Sequence, residues 1–267
     1  MLFIEKVNKG KTNLGTKKLL LMNNKILAIL LISLLFNLLF LLLGTLFISR
    51  RGGFLYLFKK IFIKDSTIIE YDPYYLHRKT QFEILPKSNS AIIFLGDSLT
   101  NEGEWAEILE NSNINNRGIS ADTTDLVLKR LDAIIELHPK KIFLMIGIND
   151  LITERKSVEQ TLAGHKKILS EFQKKIPATQ VFIQSVLPVN NQITRYWQDN
   201  QNAIELNSKL QELAKEFSYQ YIDVFSYLAD SENQLDANYT SDGLHLNGQG
   251  YLKWKKAVEK YVNDQEL

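Results

Sequence analysis

The sequence predicts an α/β fold, a parallel sheet covered by helices on both faces, preceded by one transmembrane helix. Three observations point there. Residues 26–48 form an uncharged run of 23 residues. Beyond it, short runs rich in Ile, Val and Phe alternate with segments of helical period. Several of those runs end in clusters of Gly, Asp, Asn and Ser, where open α/β sheets place their ligands.

The run "ILAILLISLLFNLLFLLLGTLFI" comes first. At about 1.5 Å per residue it is long enough to cross a hydrocarbon core of about 30 Å with some tilt. A cleaved signal peptide would carry a shorter apolar region of about 7–15 residues and a small-residue cleavage site. This run ends instead in "SRR". The expectation is a retained anchor over 26–48 in contact with the bilayer. Charge does not orient it: Lys11, Lys17, Lys18 and Lys25 on one side balance Arg50, Arg51, Lys59 and Lys60 on the other. A start at Met22 would remove upstream lysines and shift that balance.

The formal charge of +2 conceals an asymmetry. Residues 1–64 carry eleven Lys/Arg and one acid, Glu5, whereas the remainder carries 21 basic and 29 acidic residues. A basic front suits anionic headgroups. An acidic body argues against nucleic acid as a partner. The absence of cysteine excludes disulfides, thiolate metal sites and a cysteine nucleophile. The predicted organisation is a basic tail at 1–25, the anchor at 26–48, a juxtamembrane segment and tether at 49–90, and the domain at 91–267. Within the tether, residues 53–64 ("GFLYLFKKIFIK") suit either the headgroup zone or a first helix.

In the body, residues 91–95, 141–146, 181–189 and 221–225 read as buried strands, with a weaker one at 114–116. Val127, Leu131, Ile134 and Ile135 mark a helix after the capping-type "ADTTD". Val158, Leu162, Leu169, Phe172 and Ile176 mark another, opened by a capping box at Ser157 and Gln160. Leu206, Leu210, Leu213 and Phe217 mark a third, and Tyr251, Trp254, Val258 and Tyr261 the last.

The chemistry is expected in the loops after the strands. These carry "GDSLT" at 96–100, "NRG" at 116–118, "GIND" at 147–150 and, near the end of the chain, "DGLH" at 242–245. Acyl transfer needs a nucleophile with an adjacent base, and Ser98 and His245 are of those types. It needs an orienter for the base, and Asp242 lies three residues before His245. It needs preorganised donors for an oxyanion: the N–H groups of Ser98 and Gly118 and the side-chain amide of Asn149 are candidates. Each cluster alone also fits a plain turn. His165 falls on an apolar helix face and reads as packed, His138 suits a helix C-terminus, and His77 lies in the tether. Asp97 and Asp150 read as structural carboxylates. Arg117 fits either an anionic substrate group or a salt bridge. Trp105 and Trp197 fit either core filling or walls of a substrate pocket, and residues 190–201 are the candidate substrate-facing lid. No H-E-x-x-H or close histidine pair is present, so no metal or other cofactor is expected.

Taken together, the four blocks resemble the GDSL-type, or SGNH, hydrolase family across residues 91–262. Longer stretches, "EWAEIL", "NRGISADTTDLVLKRLD" and "KIFLMIGINDL", look like its platelet-activating-factor acetylhydrolase-like and sialate O-acetylesterase-like branch. The resemblance implies a flavodoxin-like three-layer α/β/α sandwich and ester hydrolysis. It implies Ser98 as nucleophile, Asp242 and His245 as its partners, and Ser98, Gly118 and Asn149 as the oxyanion hole. It also implies short acyl groups, often acetyl on sugars, as substrate, and hence a catalytic domain outside the cytoplasm. An O-acyltransferase with the same residues, a lipid-cleaving enzyme and a silent binding module are the competing readings. The sequence leaves the oligomeric state open.

Overall fold

The computed structural model describes residues 2–50, 72–86, 92–194 and 198–263. It divides into two compact units, Met1–Glu70 and Tyr71–Leu267. The juxtamembrane stretch 53–64 and Trp197 lie outside the described residues.

In the first unit, α1 runs from Leu2 to Arg50. Its segment Asn24–Phe47 has a mean hydropathy of 3.0, and none of it is buried. It is long and apolar enough to cross a membrane, a test that an N-terminal signal sequence also passes.

The second unit begins with a helix, α2 (Pro73–Ile84), where the sequence reading gave only an aperiodic tether. Asp72 caps it by accepting from the Tyr74 N–H, and Pro73 supplies a preset φ at its first position. Five parallel strands follow: β1 (Ile92–Gly96), β2 (Ile114–Gly118), β3 (Lys141–Met145), β4 (Gln180–Gln184) and β5 (Gln220–Ile222). Their order is β2-β1-β3-β4-β5. The chain therefore reverses its direction of growth between β1 and β3, which creates a crevice at the carboxyl ends of those two strands.

The central strands β1, β3 and β4 are largely apolar on both faces because helices cover both. Phe94, Phe143 and Phe182 stand in register on β1, β3 and β4, with ring centroids 4.8 and 4.6 Å apart. Trp105 extends this row at one end and Tyr261 at the other, at 4.4 and 5.4 Å. Alternation sends Ile93, Leu95, Ile142, Leu144, Val181 and Ile183 to the opposite face, and all six are buried.

Between the strands lie α3 (Ser98–Asn101), α4 (Trp105–Ile108), α5 (Thr124–Leu128), α6 (Leu131–Ile135), α7 (Ile148–Ile152), α8 (Val158–Lys175) and α9 (Asn200–Glu216), and after β5 come α10 (Phe225–Leu228) and α11 (Gly248–Asn263). The Ser157/Gln160 capping box opens α8 as expected, with both reciprocal hydrogen bonds made.

Three sequence expectations are corrected. The helix through Val127 and Ile135 is two short helices. Arg130 leaves helical geometry between them, and its guanidinium reaches Asp122 and the Gly96 carbonyl. The strand at 181–189 stops at Gln184, because side chains replace the ladder beyond it. Asn207 bonds both the N–H and the carbonyl of Val186, at 2.7 and 2.9 Å, and Asn200 does the same for Val189. The last strand ends at Ile222, where Ser185 Oγ accepts from the N–H groups of Val224 and Phe225 and turns the chain into α10.

Candidate active site

Ser98 opens α3 directly after β1 and is 7% exposed. Asp97 caps this turn: its Oδ1 accepts from the Leu99 N–H at 3.0 Å. The turn is braced from three sides. Tyr251 of α11 donates to the Leu99 carbonyl at 2.9 Å. The side-chain amide of Asn116, on β2, reaches the carbonyls of Thr100, Asn101 and Gly103 at 2.8, 3.1 and 2.9 Å. Gly118 lets the turn lie against β2, since a Cβ there would stand 2.2 Å from the Asn101 nitrogen.

Asp242 and His245 come from the loop between Thr240 and Leu246, which pair as an isolated antiparallel bridge. Gly243 takes a φ of +79° that other residues resist, and packs against the Asn190 carbonyl and the Thr194 nitrogen. The loop folds around one carboxylate. Asp242 Oδ1 accepts from the N–H groups of Leu244 and His245 at 2.9 and 2.8 Å, and Oδ2 meets His245 Nδ1 at 2.7 Å. A carboxylate only accepts, so Nδ1 carries the proton and Nε2 presents a lone pair. That nitrogen lies 3.1 Å from Ser98 Oγ. The structure thus brings Ser98, His245 and Asp242 into one hydrogen-bonded series, although 147 positions separate the serine from the histidine.

The carboxylates on the two sides differ. Partial burial alone would raise Asp242; hydrogen bonds from the His245 ring and from the Leu244 and His245 N–H groups outweigh it and hold the carboxyl at about 2. Complete burial pushes Asp97 up to about 7; the Leu99 N–H opposes this, and the Asp122 and Asp150 carboxylates add to it.

Asn149, on α7, donates from Nδ2 to the Asp122 carbonyl at 2.9 Å, which leaves its second amide proton for another acceptor. Gly118 requires a correction. Its one N–H donates to Asn116 Oδ1 at 2.8 Å, so that proton is already used. Three residues on, Ala121 takes a φ of +65°, unusual for an alanine, immediately before the Asp122 that holds Asn149. The Ala121 N–H makes no hydrogen bond among the described residues. Sequence reasoning passed over Ala121, because alanine carries no chemistry of its own.

Two other expectations resolve as structural. Trp105 is 1% exposed, stacks on Phe94 and donates its indole N–H to the Thr100 carbonyl, so it fills the core and is not a pocket wall. Arg117 is buried: one guanidinium nitrogen meets the Asn116 carbonyl, and the group lies 4.9 Å from the Phe82 ring of α2. Burial, then the charges of Arg78 and Arg130, pull it down to about 10. It is not placed to receive a substrate anion. Asp150 bonds the Thr124 N–H and hydroxyl at 2.9 and 2.6 Å and ties α7 to α5. His165 is buried with Nε2 on the Ile146 carbonyl, and burial pulls it down to about 4, so it stays neutral.

The cleft is open. Two grooves of about 670 and 660 Å³ on the body include none of Ser98, Asn149, Asp242 or His245 in their lining. Among the described residues, no cluster of carboxylates and histidines could hold a metal ion.

Comparison with known proteins gives the family and the fold. A model of the GDSL-like lipase/acylhydrolase family matches residues 94–253. An N-acylneuraminate cytidylyltransferase of Escherichia coli O18:K1:H7 is 30% identical over 179 residues, which is 66% of this chain but 41% of that protein. The chain thus spans about two fifths of that relative. A solved structure from Streptococcus pneumonia, described as a platelet activating factor, is 32% identical with a TM-score of 0.64; the match covers 71% of this chain and 92% of that one. A mutant acetyl-xylooligosaccharide esterase from Geobacillus Stearmophilus shares the fold at 18% identity, with a TM-score of 0.53 over 68% of this chain and 97% of that one.

Proposed function

The chain belongs to the GDSL-like lipase/acylhydrolase family, and from that premise we propose that it is a carboxylic ester hydrolase, a membrane-anchored serine esterase that removes short acyl groups, chiefly O-acetyl, from carbohydrate. The observation that carries this reading is the series Ser98 Oγ, His245 Nε2 and Nδ1, Asp242 Oδ2, at 3.1 and 2.7 Å.

In this mechanism His245 Nε2 takes the Ser98 proton as Oγ attacks the ester carbonyl. Asp242 holds the ring in the productive tautomer and stabilises the imidazolium. The oxyanion receives hydrogen bonds from the Ser98 N–H, the Ala121 N–H and Asn149 Nδ2, with Ala121 taking the place first expected of Gly118. His245 then protonates the leaving alcohol and an acyl-enzyme remains. Water then attacks the acyl carbonyl and gives a proton to His245, which passes it to Ser98 Oγ as the acyl–Oγ bond breaks and the acid leaves. No step calls for a metal or other cofactor.

The carbohydrate reading draws on the names of two similar proteins, one for an N-acylneuraminate and one for acetyl-xylooligosaccharide. The anchor reading rests on the apolar Asn24–Phe47 helix; the extracytoplasmic side is proposed from the carbohydrate substrate and not from the helix.

A series of p-nitrophenyl esters from acetate to palmitate tests the proposal, with Ser98→Ala run in parallel. Turnover is expected to peak at acetate and vanish in the variant. A peak at long chains would replace the carbohydrate substrate with a lipid, and equal rates in both proteins would remove Ser98 from the mechanism.

A further inference from the structure

A polar cluster beside Ser98 has no part in the acyl-transfer steps. Asn101 lies one turn after Ser98 on α3, so the two side chains share a face of that turn. Its Nδ2 donates to Tyr74 Oη at 3.1 Å and to Ser120 Oγ at 3.3 Å. Ser120 immediately precedes Ala121. Tyr74 comes from α2, outside the family match at residues 94–253, and is 42% exposed.

Donor and acceptor accounting shows what this cluster has left to offer. Asn101 spends its amide protons on the two hydroxyl oxygens. The Tyr74 and Ser120 hydroxyls act there as acceptors, so both keep a proton to donate. Asn101 Oδ1 keeps its lone pairs, and none of the three side chains makes another hydrogen bond among the described residues. Two donors and one acceptor around an exposed tyrosine ring match neighbouring hydroxyls on an apolar carbon ring. They do not match a carboxylate or phosphate, which would use no acceptor and would favour a cation.

We propose that Tyr74, Asn101 and Ser120 form a subsite for the alcohol half of the ester, and that it takes a polyhydroxylated alcohol such as a sugar. The helix preceding the family domain thereby supplies a specificity-determining residue. This inference rests on Ser98 being the nucleophile.

The test uses the full chain in detergent micelles and two acetates: p-nitrophenyl acetate, whose alcohol carries no further hydroxyl, and a mono-O-acetylated methyl hexoside. Tyr74→Phe and Ser120→Ala each remove one donor. Each is expected to lower kcat/KM for the hexoside relative to p-nitrophenyl acetate by about three- to tenfold, mainly through KM. Tyr227→Phe, at an exposed position on α10, should leave both rates unchanged. Parallel losses on both substrates, an unchanged ratio, or a wild-type chain that cleaves p-nitrophenyl acetate but not the hexoside would overturn the subsite. Failure of the wild type on p-nitrophenyl acetate would instead remove the serine-esterase reading, and the subsite with it.

Discussion

The two halves of the site are built in opposite ways. The Ser98 half is buried and braced by distant parts of the chain: Asp97, Asp122 and Asp150 are fully buried, and β2, α11 and α7 all reach the loops around Ser98. The base half is one short loop wrapped around its own carboxylate, with the Asp242 side chain 50% and the His245 side chain 30% exposed. The same residue type meets opposite fates in the two halves. Burial raises Asp97, and hydrogen bonds lower Asp242. The difference teaches that the serine is located by packing, whereas the histidine is located by charge and hydrogen bonding.

Asp242→Asn gives the sharpest test of that contrast. It keeps the shape of the loop but removes the charge that fixes the His245 tautomer. A loss of about 10⁴ in kcat is expected, with a smaller loss of Tm at neutral pH that closes as pH falls towards 2, because the ionised carboxylate also supports the folded loop. Steady-state kinetics and a thermal melt check the two halves of this prediction, and a large loss of stability would break the comparison.

Asn149→Ala removes one of the proposed oxyanion donors and should cost about 10²–10³ in kcat with little change in KM. Gly118→Ala acts differently, because its methyl group collides with the Asn101 backbone. It should lower Tm, and circular dichroism melts separate this from a catalytic defect.

The smallest effect is on the pH dependence of stability. The folded chain holds the Asp97 proton up to about pH 7, whereas the unfolded chain releases it near 3.8. Asp97 therefore withdraws stability as pH rises from about 4 to 7. Asp242 behaves oppositely: its contribution is complete above the ordinary value of 3.8 and is lost as pH falls through about 2. Asp97→Asn retains the Oδ1 acceptor for Leu99 and removes the first slope. Its Tm should exceed that of wild type at pH 8, with the gap closing towards pH 4. A gap that stays constant with pH would contradict the assignment.

Much of this was legible in the sequence, for physical reasons that can be named. Strand interiors such as Ile92–Gly96 and Lys141–Met145 declare themselves because both faces are buried. Ser98, Asn149, Asp242 and His245 stood out because their chemistry has a known use at strand ends. The features missed are those that depend on distant partners. Arg130 breaks a helix because Asp122 and Gly96 wait across the turn, and no local pattern announces that. The strand at 181–189 stops early because Asn200 and Asn207, on a later helix, take over its backbone bonds. The α2 helix did carry a signal, Asp72-Pro73 at its start, but its apolar residues meet Ile119 and Leu126 only after folding. Gly118 was misread because a glycine that admits a helix turn and a glycine that admits a ligand look identical in sequence.

The most direct measurement is mass spectrometry of the folded chain after exposure to a fluorophosphonate. A serine made nucleophilic by His245 and Asp242 should take up one phosphonyl group per chain, on the peptide that contains Ser98. That adduct should disappear in His245→Ala. An unmodified Ser98 in folded protein, or labelling that persists without His245, would contradict the account.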